Sequence, residues 1–170
     1  MATRNMTPDA IAFQKRTGLK LGKRIYQGHG DIYKLKSYPN RLVKIVMNDG
    51  TDDIKIIRYL YRSKNPAVVK LHKVGVLNNI KTNYGDYKNY YYYVMDRLSL
   101  IPKKQRRNYV NEIQLALECD DDISHMPRKV NNFVNKAKKL KYFHHDIHDG
   151  NIMQDKRGQL KFVDLESFMW

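Results

Sequence analysis

Cysteine is all but missing: Cys119 is the single thiol in 170 residues. No disulfide can form within the chain, so stability has to come from packing and hydrogen bonds, and a reducing compartment is expected. Cys119 follows the helical run Ile113 to Glu118 and reads as a buried helical thiol. Long apolar runs are missing too. No window approaches the roughly 18 apolar residues of a membrane span, and Met1 to Met6 contains no apolar signal core. A soluble cytoplasmic protein with no membrane partner is expected, in a host cytoplasm if the source is viral. Acidic residues are scarce beside basic ones, 17 against 32, which leaves a formal net charge of +15. That excess suits nucleic acid, acidic proteins, membrane surfaces or polyphosphate ligands and selects none of them.

Hydrophobic residues make up 42% of the chain, enough for a core in one domain or in two small lobes sharing a cleft. Residues 1–20 read as an N-terminal extension, with a short helix starting at Thr7-Pro8, where Thr7 is a candidate cap and Pro8 suits the first helical position. Leu21 to Leu35 flanks a Gly28-His29-Gly30 turn and reads as a β-hairpin. Ser37-Tyr38-Pro39-Asn40 is the next expected turn. Leu42 to Met47 is then a strand with one lysine, Lys44, in an apolar run. That ammonium must reach an anion or water, or else lie on an exposed face opposite Val43 and Ile45.

Ile54, Ile57, Leu60 and Tyr61 carry a helical period, with Thr51 as a candidate cap and Asp52 and Asp53 in the first turn. Asn79 to Lys88 reads as a polar loop and Tyr90 to Leu98 as a tyrosine-rich strand. A helix is expected over about Tyr109 to Cys119, and another from Pro127, with Val130, Phe133, Val134, Ala137 and Leu140 on one face.

The chemistry is concentrated at the end of that second helix. Asp146, Asn151 and Asp164 follow one another at offsets of five and thirteen residues, within Tyr142-Phe143-His144-His145-Asp146-Ile147-His148-Asp149-Gly150-Asn151-Ile152 and Lys161-Phe162-Val163-Asp164-Leu165-Glu166. Phosphoryl transfer uses such a set: a carboxylate beside the attacking hydroxyl, and an amide and a second carboxylate on the metal ions that neutralise phosphate charge. His144-His145-Asp146 with Asn151 resembles the His-Arg-Asp-x-x-x-x-Asn catalytic loop of the protein-kinase-like fold, and Asp164-Leu165-Glu166 resembles its Asp-Phe-Gly. Asp146-Ile147-His148-Asp149-Gly150-Asn151-Ile152 is closer to the corresponding loop of aminoglycoside and choline phosphotransferases.

The resemblance implies an α+β, two-lobed kinase-like fold. Its β-rich N-lobe would span residues 21–98 and its helical C-lobe residues 99–170. It implies ATP and Mg²⁺ as cofactors, with Asp146 as catalytic carboxylate, Lys44 on the phosphates, and Asn151 and Asp164 as metal ligands. Gly28, Gly30 and Ile32 would form the end of the glycine-rich loop, while Met95, Asp96 and Leu98 would line the adenine side. Asp53 falls where kinases place the glutamate that pairs with the lysine. The acceptor implied is a hydroxyl, foremost on protein Ser/Thr, with small molecules as the other class.

The resemblance covers about the first two thirds of a kinase, which implies a truncated C-lobe that an acidic protein partner or a second copy completes. The rival reading from the same residues is a weakly active pseudokinase that binds nucleotide and an acidic partner. A zinc site from His144, His145, His148 and Asp149 and a basic nucleic-acid-binding module are lesser alternatives.

Overall fold

A computed structural model describes residues 6–169; residues 1–5, where the expected extension begins, and Trp170 lie outside the described residues. The described chain is a mixed α+β structure with four α-helices and a five-stranded antiparallel sheet. It forms two compact units. One contains the chain up to Ile54 together with Leu71–Asp96; the other contains Lys55–Lys70 and the chain from Arg97 onward.

The first unit opens with α1 (Pro8–Thr17), β1 (Leu21–Gly28), β2 (Gly30–Leu35) and β3 (Tyr38–Met47). Thr7 stands at the cap position of α1 but makes no side-chain cap bond. Its carbonyl accepts the first helical bond, from Ile11 N at 3.1 Å, while its hydroxyl lies 3.3 Å from Tyr33 Oη. The turn expected over Ser37–Asn40 is shorter: Lys36 and Ser37 make it, and Tyr38, Pro39 and Asn40 already belong to β3. Proline is tolerated there because it has no ladder partner on either side: Tyr38 and Leu42 pair with β2, and pairing on the other edge begins at Arg41.

The chain then makes α2 (Asp53–Ser63), β4 (Leu71–Lys81) and β5 (Tyr87–Asp96), and the sheet order is β1-β2-β3-β5-β4. Period-2 alternation sorts its faces. Val43 and Ile45 of β3 and Tyr92 and Val94 of β5 share a core with Ala10 and Phe13 of α1. Phe13 meets Tyr92 edge-on, with ring centroids 4.9 Å apart. Lys44, Tyr93 and Met95 therefore lie on the other face.

Two residues of this unit carry stability predictions. Gly30 has φ +87°, and a Cβ there would stand 2.7 Å from Val46 Cγ2 and 2.9 Å from Ile45 O. Gly30→Ala is expected to cost about 1–3 kcal/mol, visible as a lower midpoint in urea. Asp9 is buried beside Thr7, and burial, reinforced by the charge of Asp31, holds its carboxyl above the usual range. The native state thus binds this proton more tightly than the unfolded chain. The stabilisation it brings is complete at acid pH and is lost as pH rises through the raised value. Asp9→Asn should raise the urea midpoint at pH 7 and leave it nearly unchanged near pH 3.5.

The second unit contains most of α2, then β6 (Ser99–Leu100), α3 (Lys103–Glu118), α4 (Arg128–Ala137), β7 (Phe143–His144), β8 (Ile152–Gln154), β9 (Leu160–Phe162), a single 3-10 turn (Leu165–Ser167) and β10 (Phe168–Met169). α3 begins six residues before the expected Tyr109, and α4 buries Val130, Phe133, Val134 and Ala137 along one stripe. Strands β6, β8 and β9 form one small sheet, and β7 pairs with β10.

Residues 65–70 are stitched into this unit. Asn65 Nδ2 donates to Lys136 O at 2.9 Å, Val69 N to Phe162 O at 2.9 Å, and Phe162 N to Ala67 O at 2.7 Å. The α2 residue Tyr59 accepts the Lys141 backbone N–H at 3.0 Å. No helix among the described residues is long and apolar enough to cross a membrane. Cys119, expected to be buried, is exposed at the end of α3.

Candidate active site

The loop that carries Asp146 hangs between two anchors in the second unit. Upstream, α4 fixes the chain through its buried stripe, and Phe133 packs on Phe162 of β9 with ring centroids 4.8 Å apart. Downstream, β8 and β9 form a hairpin closed by an Asp155–Gly158 turn, in which Gly158 N donates to Asp155 O at 2.9 Å.

His144 ties the anchors together. Its ring stacks on Phe162 at 4.8 Å with planes 9° apart and meets Phe168 edge-on at 5.0 Å. Nε2 lies 3.0 Å from Val163 O, and since a carbonyl only accepts, Nε2 carries the hydrogen. Burial lowers the pKa of this histidine, so the neutral ring is favoured. His144 is a packing residue.

Asp146 projects outward, its side chain 56% exposed. Asn151 is buried beneath it and donates through Nδ2 to Asp146 O at 2.9 Å and Oδ2 at 3.3 Å. The amide nitrogen is thereby committed to the loop. The amide oxygen is the remaining hard donor of that side chain. The five-residue offset has a local cause: Asn151 N donates back to His148 O at 3.0 Å, closing the loop on itself.

His148 sits within the same bend. Gly150 N donates to its Nδ1 at 3.0 Å, which leaves Nε2 facing Asp146 Oδ2 at 3.6 Å. Asp164 follows β9 in the left-handed region at φ 56° and ψ 67°, a conformation aspartate tolerates better than most residues. Val163 N, one residue earlier, donates to Asn151 O at 2.9 Å. Backbone bonds thus join the segments that hold Asp146, Asn151 and Asp164.

The histidine-rich run does not pool its rings. His144 turns to Val163 O, His145 Nδ1 donates to Ser167 O, and His148 takes the Gly150 N–H. No cluster of three or more His, Cys, Asp or Glu side chains suited to a metal ion occurs among the described residues. Asn151 and Asp164 are an amide and a carboxylate, the hard oxygen donors that a magnesium ion shared with phosphates takes one or two at a time.

The remaining expected site residues lie in the first unit, apart from Leu98, which belongs to the second. Ile32, Lys44 and Tyr93 are cross-strand partners in one row across β2, β3 and β5. Lys44 is only 3% exposed. It lies on the face opposite Val43 and Ile45, and that face is not a solvated one. Gly30 stands over it, since a Cβ there would approach Lys44 Cε to 3.3 Å. Met95 is buried on the same face, two residues along from Tyr93. Gly28 pairs with Gly30 across the hairpin. Asp96 is bound by His72 Nε2 at 2.6 Å, and Asp53 accepts from Tyr91 Oη at 3.3 Å.

A cavity of about 560 Å³ also opens in the second unit, lined by Leu117, Leu140, Phe143, His144, Ile147 and Phe168 among others. None of Asp146, Asn151 and Asp164 lines it. One residue at the site escaped the sequence reading. Ser167 Oγ donates to Asp164 Oδ2 at 2.9 Å. The signal for it is the Asp-x-x-Ser spacing, which brings a hydroxyl back over the carboxylate in one turn. No protein-family model matches the chain, and no curated protein matches it in sequence.

Proposed function

We propose that the protein is an ATP- and Mg²⁺-dependent phosphotransferase of the two-lobed kinase-like class, acting on a hydroxyl acceptor, foremost protein Ser/Thr. One observation carries the reading: a buried Asn151 spends its amide nitrogen on an outward-facing Asp146, five residues away. A carboxylate held from beneath and open above is suited to orient a hydroxyl and take its proton late in transfer. Asn151, through its oxygen, and Asp164 would hold the magnesium ion, which when bound offsets the charge on the phosphate oxygens. Lys44 is the residue to steady the phosphates, supported by its burial on an apolar strand under Gly30. His148, facing Asp146, stands where it can restrain the carboxylate. A net charge of +15 is compatible with an acidic protein as partner or substrate.

The test is transfer of label from [γ-³²P]ATP to a library of Ser/Thr peptides and to small-molecule alcohols, run beside thermal unfolding with and without Mg-ATP. Metal-dependent transfer is the expected result. A stabilising shift without transfer would favour the pseudokinase alternative, and no shift at all would reject nucleotide binding by this chain.

A further inference from the structure

The residue that links the two acidic segments is Ser167, which is buried in the 3-10 turn after Asp164. All three of its polar groups are committed. Its N–H donates to Asp164 O at 3.1 Å, and its hydroxyl donates to Asp164 Oδ2 at 2.9 Å. Its carbonyl accepts from His145 twice, from the backbone N–H at 3.1 Å and from ring Nδ1. His145 immediately precedes Asp146, so Ser167 is bonded on one side to the proposed metal ligand and on the other to the neighbour of the proposed catalytic carboxylate.

We propose that Ser167 is a positioning residue whose hydroxyl fixes the rotamer of Asp164 for a divalent cation. This rests on reading Asp164 as a metal ligand. A hydroxyl can rotate toward any nearby acceptor, and this one points to a carboxylate oxygen. An ionised carboxylate oxygen has more than one lone-pair direction, so accepting from Ser167 is compatible with ligation. The bond also limits rotation of a side chain whose backbone already occupies the left-handed region. Hydrogen bonds to a ligating carboxylate typically set metal affinity by 10–100-fold.

The test is a Mn²⁺ titration read by thermal unfolding at a fixed concentration of a non-hydrolysable ATP analogue. It compares wild type, Ser167→Ala and Ser167→Cys, the last nearly isosteric but a poor donor. Both variants should need at least 10-fold more Mn²⁺ for half of the shift, while their metal-free midpoints stay close to wild type. If Ser167→Ala fails to fold, Ser167→Cys decides alone. A wild type that responds to Mn²⁺ beside variants that respond equally would overturn the role of Ser167 and leave the phosphotransfer reading intact. A wild type with no Mn²⁺ response would remove that reading and this inference with it.

Discussion

Asp146→Asn is expected to lower the rate of phosphate transfer by about 10²–10⁴-fold, the range of a positioned general base. The substitution keeps the size of the side chain and an oxygen that can still accept from Asn151 Nδ2. It removes the capacity to take a proton from the acceptor hydroxyl. Because Asp146 is outward-facing and is held by the loop more than it holds the loop, folding should be nearly unaffected. Mg-ATP should therefore stabilise the variant against heat as much as it does wild type. Initial rates with labelled ATP measure the loss, and unchanged rates in a folded variant would remove Asp146 from the chemistry.

Asp164→Asn should do the reverse, abolishing the metal-dependent part of nucleotide binding. Ligand at 100 times its dissociation constant adds about 2.7 kcal/mol to stability, which in a chain of this size moves the thermal midpoint by roughly 5–10 °C. Asparagine is the right replacement because it also tolerates the left-handed backbone at φ 56°, so a lost shift cannot be ascribed to strain. Chelating the metal in wild type should reproduce the variant. A full shift with Asp164→Asn would show that the carboxylate is not a ligand.

Some of this structure is legible in the residue pattern and some is not, for identifiable reasons. The stripe of Val130, Phe133, Val134 and Ala137 announces α4 because burial there follows helical spacing. The Gly28-His29-Gly30 bend is equally plain, since tight hairpins leave glycine signatures. The start of α3 is silent. Lys103, Lys104, Arg106 and Arg107 put cations at the positive end of the helix and offer no apolar period until Tyr109.

The Asn79–Lys88 segment reads as loop from its polarity, yet β4 runs to Lys81 and β5 starts at Tyr87. Backbone ladders pair Ile80 with Lys88 and Lys81 with Tyr87 whatever the side chains. At the site, the offset between Asp146 and Asn151 is short enough for a local loop to dictate their contact. The burial of Lys44 depends on three strands meeting in register, and the grip of Ser167 on His145 depends on contacts 22 residues apart. No single-segment pattern encodes either.

The strand order has a consequence for the chain while it is being made. β3 is central, but the partner on its second edge is β5, and 48 residues lie between Met47 and Asp96. At ribosomal speeds of about 5–20 residues per second, the nascent β1-β2-β3 meander waits several seconds with the backbone of Leu42–Met47 unpaired along an apolar edge. Such an edge is a template for pairing with other chains. The interval of greatest exposure to aggregation is therefore set by how late β5 emerges, and a basic, self-repelling chain is well suited to passing through it.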